Sequence, residues 1–210
     1  MMHLDLHSLA APLAARIRGS NVPVQRVCTD TRQLQPGDLF VALRGARFDA
    51  HDYIDQAAAA GAAAVVVSTG TPTTLPALEV ADTRLALGAL ARFWRQRQAP
   101  RLIAVTGSNG KTTVKEMLGA ILSQSAPALV TAGNYNNEIG VPLTLLRLRD
   151  QPWGVIEMGA NHGGEIRYLT GLTLPDVALL NNAGRAHLEG FGSLEGVARA
   201  KAEIMEGLGP

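Results

Sequence analysis

The stretch LIAVTGSNGKTT, residues 102–113, decides the fold of the second half of the chain. The apolar run over 102–107 predicts a buried strand, and the residues from Lys111 onward predict a helix. A glycine-rich turn between a strand and a helix lets backbone N–H groups approach phosphate oxygens closely, and the helix N-terminus adds partial positive charge. We therefore predict that this turn binds the phosphates of a nucleotide.

The turn differs from the standard phosphate-binding loop in one respect. The standard pattern has a glycine at the position of Val105, so the spacing here is the shorter G-x-x-G-K-T. Lys111 is expected to reach the β- and γ-phosphates, and the Thr112 hydroxyl to ligate Mg²⁺. An ordinary strand–turn–helix connection is the competing interpretation, and we favour nucleotide binding. The predicted nucleotide-binding residues are Gly107, Ser108, Asn109, Gly110, Lys111, Thr112 and Thr113.

Strand and helix patterns alternate four times from residue 102 onward, which predicts an α/β fold with a parallel sheet covered by helices. Ligands of such sheets bind beyond the carboxyl ends of the strands. All four predicted strand ends are rich in glycine and polar residues. The predicted strands are 102–107, 128–134, 153–158 and 176–182, and the predicted helices are 111–124, 139–148, 164–172 and 193–208.

Three residues near these strand ends are candidates for chemistry. Glu157 ends an apolar strand, so it is either a Mg²⁺ ligand or half of a salt bridge. His187 follows a glycine-containing turn, where an ordinary hydrogen-bonded histidine is the simpler interpretation. Lys201 lies on the apolar face of the last helix, where a lysine must extend to solvent, pair, or react as a neutral amine with CO₂ to form a carbamate.

The first part of the chain predicts a smaller α/β domain over residues 1–81, and helix 82–98 leads into the second domain, 82–210. The apolar positions expected of this helix are Leu85, Leu87, Leu90 and Phe93, and the arginines expected on its solvent face are Arg92, Arg95 and Arg97. Strand patterns cover 24–29, 38–45 and 62–68, with a helix over 51–61 and a loop into a short strand over 68–80. Thr31 and Arg32 follow the first of these strands. They can bind a base edge and a phosphate, although loop salt bridges explain such residues equally well.

Composition limits the partners and the compartment. The formal net charge is +1 and no long run of like charge occurs, so nothing favours nucleic acid or an anionic membrane as the main partner. The single cysteine, Cys28, excludes a disulfide framework within the chain. Neither a signal peptide nor a membrane span is evident, so we expect a cytoplasmic location.

Five segments together resemble the Mur ligase family over nearly the whole chain. The resemblance implies an N-terminal UDP-precursor-binding domain over 1–81 and a central P-loop-type ATP-binding domain over 82–210. It also implies that this central domain is incomplete and that the C-terminal Rossmann-like domain is absent. The segments are DTRQLQPGDLFVALRGARFDAHDYI (30–54), TGSNGKTTVKE (106–116), GNYNNEIGVPLTLL (133–146), EMGANHGGEI (157–166) and NNAGRAHLEGFGS (181–193).

The resemblance also implies a role for each candidate residue. Lys111 would bind the phosphates of ATP, Thr112 and Glu157 would hold one Mg²⁺, and His187 would hold a second. Lys201 matches the lysine that the family uses in carbamylated form. The implied substrate contacts are Thr31 and Arg32 with the UDP moiety, and Asn134 and Asn137 with the muramoyl side.

The implied activity is that of an ATP-dependent amide ligase of peptidoglycan precursor synthesis, acting through an acyl phosphate. The expected substrates are UDP-N-acetylmuramoyl-tripeptide and D-alanyl-D-alanine, with two Mg²⁺ ions and a monomeric protein. Because family members are longer, we expect the 210 residues alone not to ligate. The alternatives are the neighbouring ligase that adds the third amino acid, a non-catalytic fragment that binds a UDP-sugar or nucleotide, and a generic P-loop phosphotransferase.

Overall fold

The computed structural model describes Met2 and residues 4–45, 48–186 and 188–209. It divides into two compact units, Met1–Leu90 (unit 1) and Ala91–Pro210 (unit 2). The division lies inside a helix that begins at Thr83, and it falls nine residues after the boundary expected from the sequence. None of the helices among the described residues is long and apolar enough to cross a membrane.

Unit 1 is an α/β unit whose main sheet has the strand order β2-β7-β6-β5-β4. Strands β4 to β7 are mutually parallel, and β2 pairs antiparallel with β7 at one edge. β1 and β3 form a separate antiparallel pair. The elements are β1 (Leu4–Asp5), α1 (Leu6–Ala10), β2 (Arg16–Arg18), β3 (Pro23–Val24), β4 (Arg26–Cys28), β5 (Asp38–Val41), α2 (Ile54–Ala59), β6 (Ala64–Ser68), β7 (Ala77–Val80) and α3 (Thr83–Gln98).

Strands β5, β6 and β7 are covered on both faces, as expected of parallel strands with near-continuous apolar runs. The predicted helix over 51–61 is shorter than expected, with a 3₁₀ turn over Ala50–Tyr53 before α2. One cluster of the core packs α2 against one face of the sheet. Its buried members are Phe40, Ala42, Ala50, Ile54, Ala57, Ala62, Val65, Val67 and Ala77.

Helix α3 follows its predicted range, and the Asp82 carboxylate accepts hydrogen bonds from the Arg84 and Leu85 N–H groups at its start. Two details of the prediction are wrong. Leu85 is exposed rather than packed, because the buried stripe runs through Leu87, Leu90 and Trp94. Arg95 does not lie in solvent: its guanidinium donates to the Thr173 and Leu174 carbonyls.

Unit 2 contains the predicted parallel sheet, in the order β11-β8-β10-β9. Gly154 fits this sheet because a Cβ there would lie 2.5 Å from Leu102 Cδ2 on the neighbouring strand. The elements are β8 (Arg101–Thr106), α4 (Lys111–Leu122), β9 (Ala128–Val130), α5 (Gly140–Leu145), β10 (Trp153–Glu157), α6 (Glu165–Thr173), β11 (Val177–Leu180), α7 (Leu188–Phe191) and α8 (Leu194–Ala202).

The last predicted helix, 193–208, is two elements in the structure. Helix α8 ends at Ala202, and a 3₁₀ turn continues over Glu203–Gly207. The buried Glu203 carboxylate accepts hydrogen bonds from the Gly164 and Arg167 N–H groups at the start of α6. This contact ties the 3₁₀ turn to the loop that follows β10.

Candidate nucleotide and precursor sites

The phosphate loop, residues 107–113, joins β8 to α4 as the sequence predicts. Gly110 precedes α4 in a left-handed conformation with φ 73°, which favours glycine. No side chain caps the start of this helix. Because the first N–H groups of a helix have no intrahelical acceptor, the turn over Lys111–Thr113 presents donors to an anion.

Lys111 and Thr112 occupy the first turn of α4. The Lys111 ammonium is half-buried and donates to the Gly107 carbonyl at 2.8 Å, which places it over the loop. The Thr112 side chain is exposed, and its hydroxyl donates to Glu157 Oε2 at 3.0 Å. The structure therefore brings together Lys111, Thr112 and Glu157, which are 46 positions apart at most in the sequence.

Glu157 is only 1% exposed, and both its carboxylate oxygens have partners. Oε1 accepts from the Asn136 side chain at 2.8 Å, and Oε2 lies 3.9 Å from the Lys115 ammonium as well as bonding to Thr112. The sequence left open whether Glu157 is a Mg²⁺ ligand or half of a salt bridge. Both interpretations fit the structure, because the carboxylate lies near a buried cation and accepts a hydrogen bond from a hydroxyl. A hydroxyl and a carboxylate oxygen in contact are hard donors of the kind that Mg²⁺ takes beside nucleotide phosphates.

Lys115 is the main residue of this site that the sequence reasoning missed. Its side chain is completely buried, and the ammonium donates to the Thr131 and Gly133 carbonyls at 2.8 and 3.3 Å. It also pairs with Glu116 at 2.9 Å. A signal existed in the sequence, because Lys115 lies one turn before Gly119 on the buried face of α4.

The three asparagines of the loop after β9 differ in their exposure and in their hydrogen-bond partners. Asn134 is exposed, as a substrate-binding residue would be. The Asn137 side chain accepts hydrogen bonds from the Ile139 and Gly140 N–H groups, so it caps α5. Asn136, which the sequence reasoning did not select, is the asparagine that contacts Glu157.

Lys201 is 2% exposed in α8, so it does not extend to solvent, which is the interpretation that the pattern alone favoured. Burial and the nearby charge of Lys111 lower the pKa of the Lys201 amine to about 8. The ammonium lies 5.9 Å from the centroid of the Phe191 ring. An amine that loses its proton this readily is available as a nucleophile at a moderately alkaline pH.

The remaining predicted residues of unit 2 divide into two groups. Ser108 and Asn109 bond to the turn over 181–184, and Thr113 is exposed on the first turn of α4. His187 lies outside the described residues. Among the described residues, no three His, Cys, Asp or Glu side chains gather as a metal-binding group.

Unit 1 contains a cavity of about 450 Å³ at the carboxyl end of β4. Thr31 and Arg32 both line it, so the structure brings the two predicted contacts together. Thr31 donates to the Gln56 side chain at 2.9 Å, and Arg32 pairs with Asp30 at 2.7 Å while its side chain stays 83% exposed. The aromatic side chains of Phe40, Phe48 and Tyr53 also line this cavity.

One wall of the cavity is held by a chain of polar contacts through Asp49. The carboxylate pairs with Arg44 at 2.6 Å and with the His51 ring, and its pKa falls to about 2, mainly because it accepts a hydrogen bond from the His51 N–H group. His51 Nε2 accepts the Ser68 N–H at 3.0 Å. These contacts hold Asp49 between Phe48 and Ala50, which both line the cavity.

Two family models match the chain. The model described as Mur ligase middle domain matches residues 105–210, and the one described as Mur ligase family, catalytic domain, matches residues 23–95. The chain is 56% identical over 209 residues to the UDP-N-acetylmuramoyl-tripeptide--D-alanyl-D-alanine ligase of Escherichia coli (strain K12), covering 99% of this chain and 46% of the relative.

Solved structures show the same likeness. The chain matches a crystal structure of MurF from Acinetobacter baumannii with a TM-score of 0.95 and 43% identity, over 100% of this chain and 48% of that one. It matches the MurF ligase of Thermotoga maritima in complex with ADP with a TM-score of 0.82 and 37% identity, over 88% and 44%. The chain thus spans about half the length of the relatives it matches.

Proposed function

The chain belongs to the Mur ligase family, and from that premise we propose that it carries the precursor- and ATP-binding part of the ligase that joins D-alanyl-D-alanine to UDP-N-acetylmuramoyl-tripeptide. The observation that carries the proposal is the contact between the Thr112 hydroxyl and the buried Glu157 carboxylate, directly beside Lys111. The names of the relatives at 56% and 43% identity support the substrate assignment. Ligation itself belongs to the whole protein.

The proposed reaction is acyl activation. The terminal carboxylate of the tripeptide attacks the γ-phosphorus of ATP, which forms an acyl phosphate and releases ADP. The amine of D-alanyl-D-alanine then attacks the acyl carbon, loses a proton, and expels inorganic phosphate from the tetrahedral intermediate. The first step brings a carboxylate to a triphosphate, and the second develops negative charge on the acyl oxygen, so cationic side chains and preorganised N–H donors lower the barrier.

The residues of the phosphate loop have distinct roles in this scheme. Lys111 neutralises the β- and γ-phosphates, and the N–H groups at the start of α4 orient them. Thr112 and Glu157 would hold one Mg²⁺, and His187 a second. When bound, Mg²⁺ supplies Lewis-acid stabilisation of the charge on the phosphoryl oxygens. Asn136 and Lys115 hold the Glu157 carboxylate in place.

Lys201 is proposed to act as a carbamate. The neutral amine attacks CO₂, the nitrogen loses a proton, and the product is an anionic carboxylate on a side chain that would otherwise be a buried cation. The lowered pKa, about 8, and the 2% exposure of Lys201 support this modification. The carbamate would then stand near Lys111 as a counter-charge.

For the precursor, we propose that Thr31 and Arg32 contact the UDP moiety in the cavity of unit 1, and that Asn134 and Asn137 contact the muramoyl side. Arg32 is exposed and bonds to Asp30 through Nε and Nη2, so its remaining N–H groups can donate to a diphosphate. The aromatic walls of the cavity suit the stacking of a base. Asn137 would offer only the part of its amide that does not cap α5.

The family role implies a place in peptidoglycan synthesis, and through it in cell shape and division. We propose a cytoplasmic, monomeric protein that needs neither nucleic acid nor a membrane. The single cysteine and the near-neutral charge support this assignment. Sedimentation of the purified chain at several concentrations tests the monomer.

A thermal-shift titration of this chain tests the binding functions. UDP-N-acetylmuramoyl-tripeptide at a hundred times its dissociation constant should stabilise by about 2.7 kcal/mol, and plain UDP at the same concentration by less. Lys111→Met should remove the shift caused by Mg·ATP and keep the shift caused by the tripeptide precursor. Arg32→Ala should do the reverse.

Two outcomes would redirect the proposal. Equal shifts with the dipeptide and tripeptide precursors would favour the neighbouring ligase that adds the third amino acid. Shifts with UDP and nucleotide but none beyond UDP with either precursor would favour a binding fragment without the ligase specificity. Loss of both ligand responses in each single variant would contradict the separate roles given to Lys111 and Arg32.

A further inference from the structure

The phosphate loop is held from one side by the turn that follows β11, residues 181–184. Asn182 makes the principal contacts. Its Oδ1 accepts from the Ser108 and Asn109 N–H groups at 3.1 and 3.0 Å, and its Nδ2 donates to the Asn109 carbonyl at 3.0 Å. The carboxamide therefore accepts from N–H groups and donates to a carbonyl of the same stretch of loop backbone.

The neighbouring residues extend this contact. The Asn181 side chain donates to the same Asn109 carbonyl at 2.9 Å. The Ser108 hydroxyl and the Gly184 backbone exchange two hydrogen bonds, at 3.0 and 2.9 Å. The loop is thus fixed by side chains more than 70 positions away, in addition to its own turn geometry.

The two glycines of the loop are pressed against this turn. A Cβ at Gly107 would lie 3.1 Å from Asn181 Cβ, and one at Gly110 would lie 3.0 Å from Asn181 Nδ2. The short glycine spacing therefore has a second cause besides the approach of a phosphate. The loop also leaves room for the asparagine pair that packs on it.

We propose that Asn182 is a positioning residue for the nucleotide. Its carboxamide satisfies the Asn109 N–H group in advance and shares the Ser108 N–H group with the Asn182 backbone carbonyl. This fixes the loop so that the phosphates bind to the N–H groups at the start of α4. The proposal rests on the nucleotide-binding function proposed above. It adds that residues 108 and 109 act as framework and that the anion site lies over Lys111–Thr113.

The variant Asn182→Ala removes three hydrogen bonds of the side chain, whereas the matched control Asn181→Ala removes one from an equally exposed neighbour. We expect Asn182→Ala to weaken the binding of ADP without Mg²⁺ roughly tenfold, since a net hydrogen bond is modest and the loop must be reordered on binding. Asn181→Ala should weaken it by less than about threefold. Titration calorimetry measures both.

Amide hydrogen exchange without nucleotide separates this inference from the function on which it rests. Asn182→Ala should lose protection at residue 109, whose N–H bonds to the side chain, whereas the Ser108 N–H keeps the Asn182 backbone carbonyl as an acceptor. Asn181→Ala should keep protection at both residues. If the wild-type chain binds no ADP, the nucleotide function fails, and the exchange result still decides whether Asn182 holds the loop. Added ADP should protect residues 111–113 in the wild type.

Three results would overturn the inference. These are unchanged protection at 109 in Asn182→Ala, equal ADP affinity in wild type and both variants, and tighter ADP binding in Asn182→Ala, which would mean that the carboxamide competes with phosphate. Should Asn182→Ala unfold, Asn182→Asp takes its place in the exchange measurement. Its carboxylate keeps an acceptor for both N–H groups, so protection should persist, and its loss would refute the contact.

Discussion

The cavity of unit 1 and the phosphate loop of unit 2 place their polar groups in opposite environments. In unit 1, Arg32 pairs with Asp30 while 83% of its side chain is exposed. In unit 2, Lys115 and Glu157 are 0% and 1% exposed, and each is held by several hydrogen bonds. A buried polar network fixes its geometry before a ligand arrives, whereas an exposed pair can rearrange around one.

The same difference in burial predicts which variants change stability and which change ligand binding. Removing one partner of a buried pair leaves an uncompensated charge, which costs far more than the pair contributes. Removing an exposed partner costs almost nothing until the ligand is present. Variants in unit 2 should therefore affect folding first, and variants in unit 1 should affect binding first.

The largest effect is expected for Lys115→Met, which leaves the Glu157 carboxylate buried without its cation. We expect a loss of about 3 kcal/mol in the free energy of unfolding. Trp94 and Trp153 both lie in unit 2, so urea titration followed by tryptophan fluorescence reports this unit. The control Glu116→Gln, whose side chain is 64% exposed, should change stability by less than about 0.5 kcal/mol. Equal losses of unfolding free energy in Lys115→Met and Glu116→Gln would contradict the expected difference between buried and exposed charges.

A smaller effect is expected for Gly140→Ala, at the start of α5. A Cβ there would lie 2.4 Å from the Tyr135 carbonyl carbon, so the backbone that leads to Asn136 must move. We expect a loss of about 2 kcal/mol, measured in the same way. In the control Gly171→Ala, within α6, no atom lies within 4 Å of the new Cβ, and a gain of up to about 1 kcal/mol is expected. A neutral Gly140→Ala would show that the loop is not rigid.

Lys201→Met tests the comparison in the opposite direction, because the buried Lys201 cation is expected to lower the free energy of unfolding. The folded pKa of Lys201 is lowered from 10.5 to about 8, so below pH 8 the amine is charged in both states, but the charge is unfavourable only in the folded protein, where it is buried. The variant should be more stable than the wild type by about 1 kcal/mol at pH 7. The difference should close between pH 8 and 10.5 as the wild-type amine loses its proton. A difference that stays constant with pH would refute the assignment.

The smallest effect on stability is expected for Arg32→Ala, in unit 1. Calorimetric unfolding should change by less than about 0.5 kcal/mol because the ion pair is exposed. UDP affinity, measured by titration calorimetry, should fall roughly tenfold because a charge-assisted contact is lost. Arg16→Ala, at an exposed position of β2, serves as the control and should keep both properties. An equal loss of UDP affinity in Arg16→Ala would indicate general electrostatic attraction.

The sequence predicted the parts of this molecule that depend on local pattern. Apolar runs marked the strands of unit 2, and glycine spacing placed Lys111 and Thr112 at the start of α4. The sequence did not predict contacts between segments that are distant along the chain. Asn136 was passed over for Asn134 and Asn137, since nothing local shows which asparagine faces Glu157. Arg95 was placed in solvent because the carbonyls at the end of α6 that it binds lie 78 and 79 positions away.

The wall of the unit 1 cavity supplies a spectroscopic reporter. Because His51 Nε2 accepts the Ser68 N–H, its ring proton must lie on Nδ1, toward Asp49. A histidine with 9% exposure and this fixed tautomer should show a slowly exchanging, downfield-shifted imidazole proton resonance. Unit 1 contains no tryptophan, so the His51 imidazole proton serves as the spectroscopic reporter of its cavity. The indoles of Trp94 and Trp153 report on unit 2. A ligand that enters between Phe48 and Tyr53 should move that resonance and leave the indole signals unchanged.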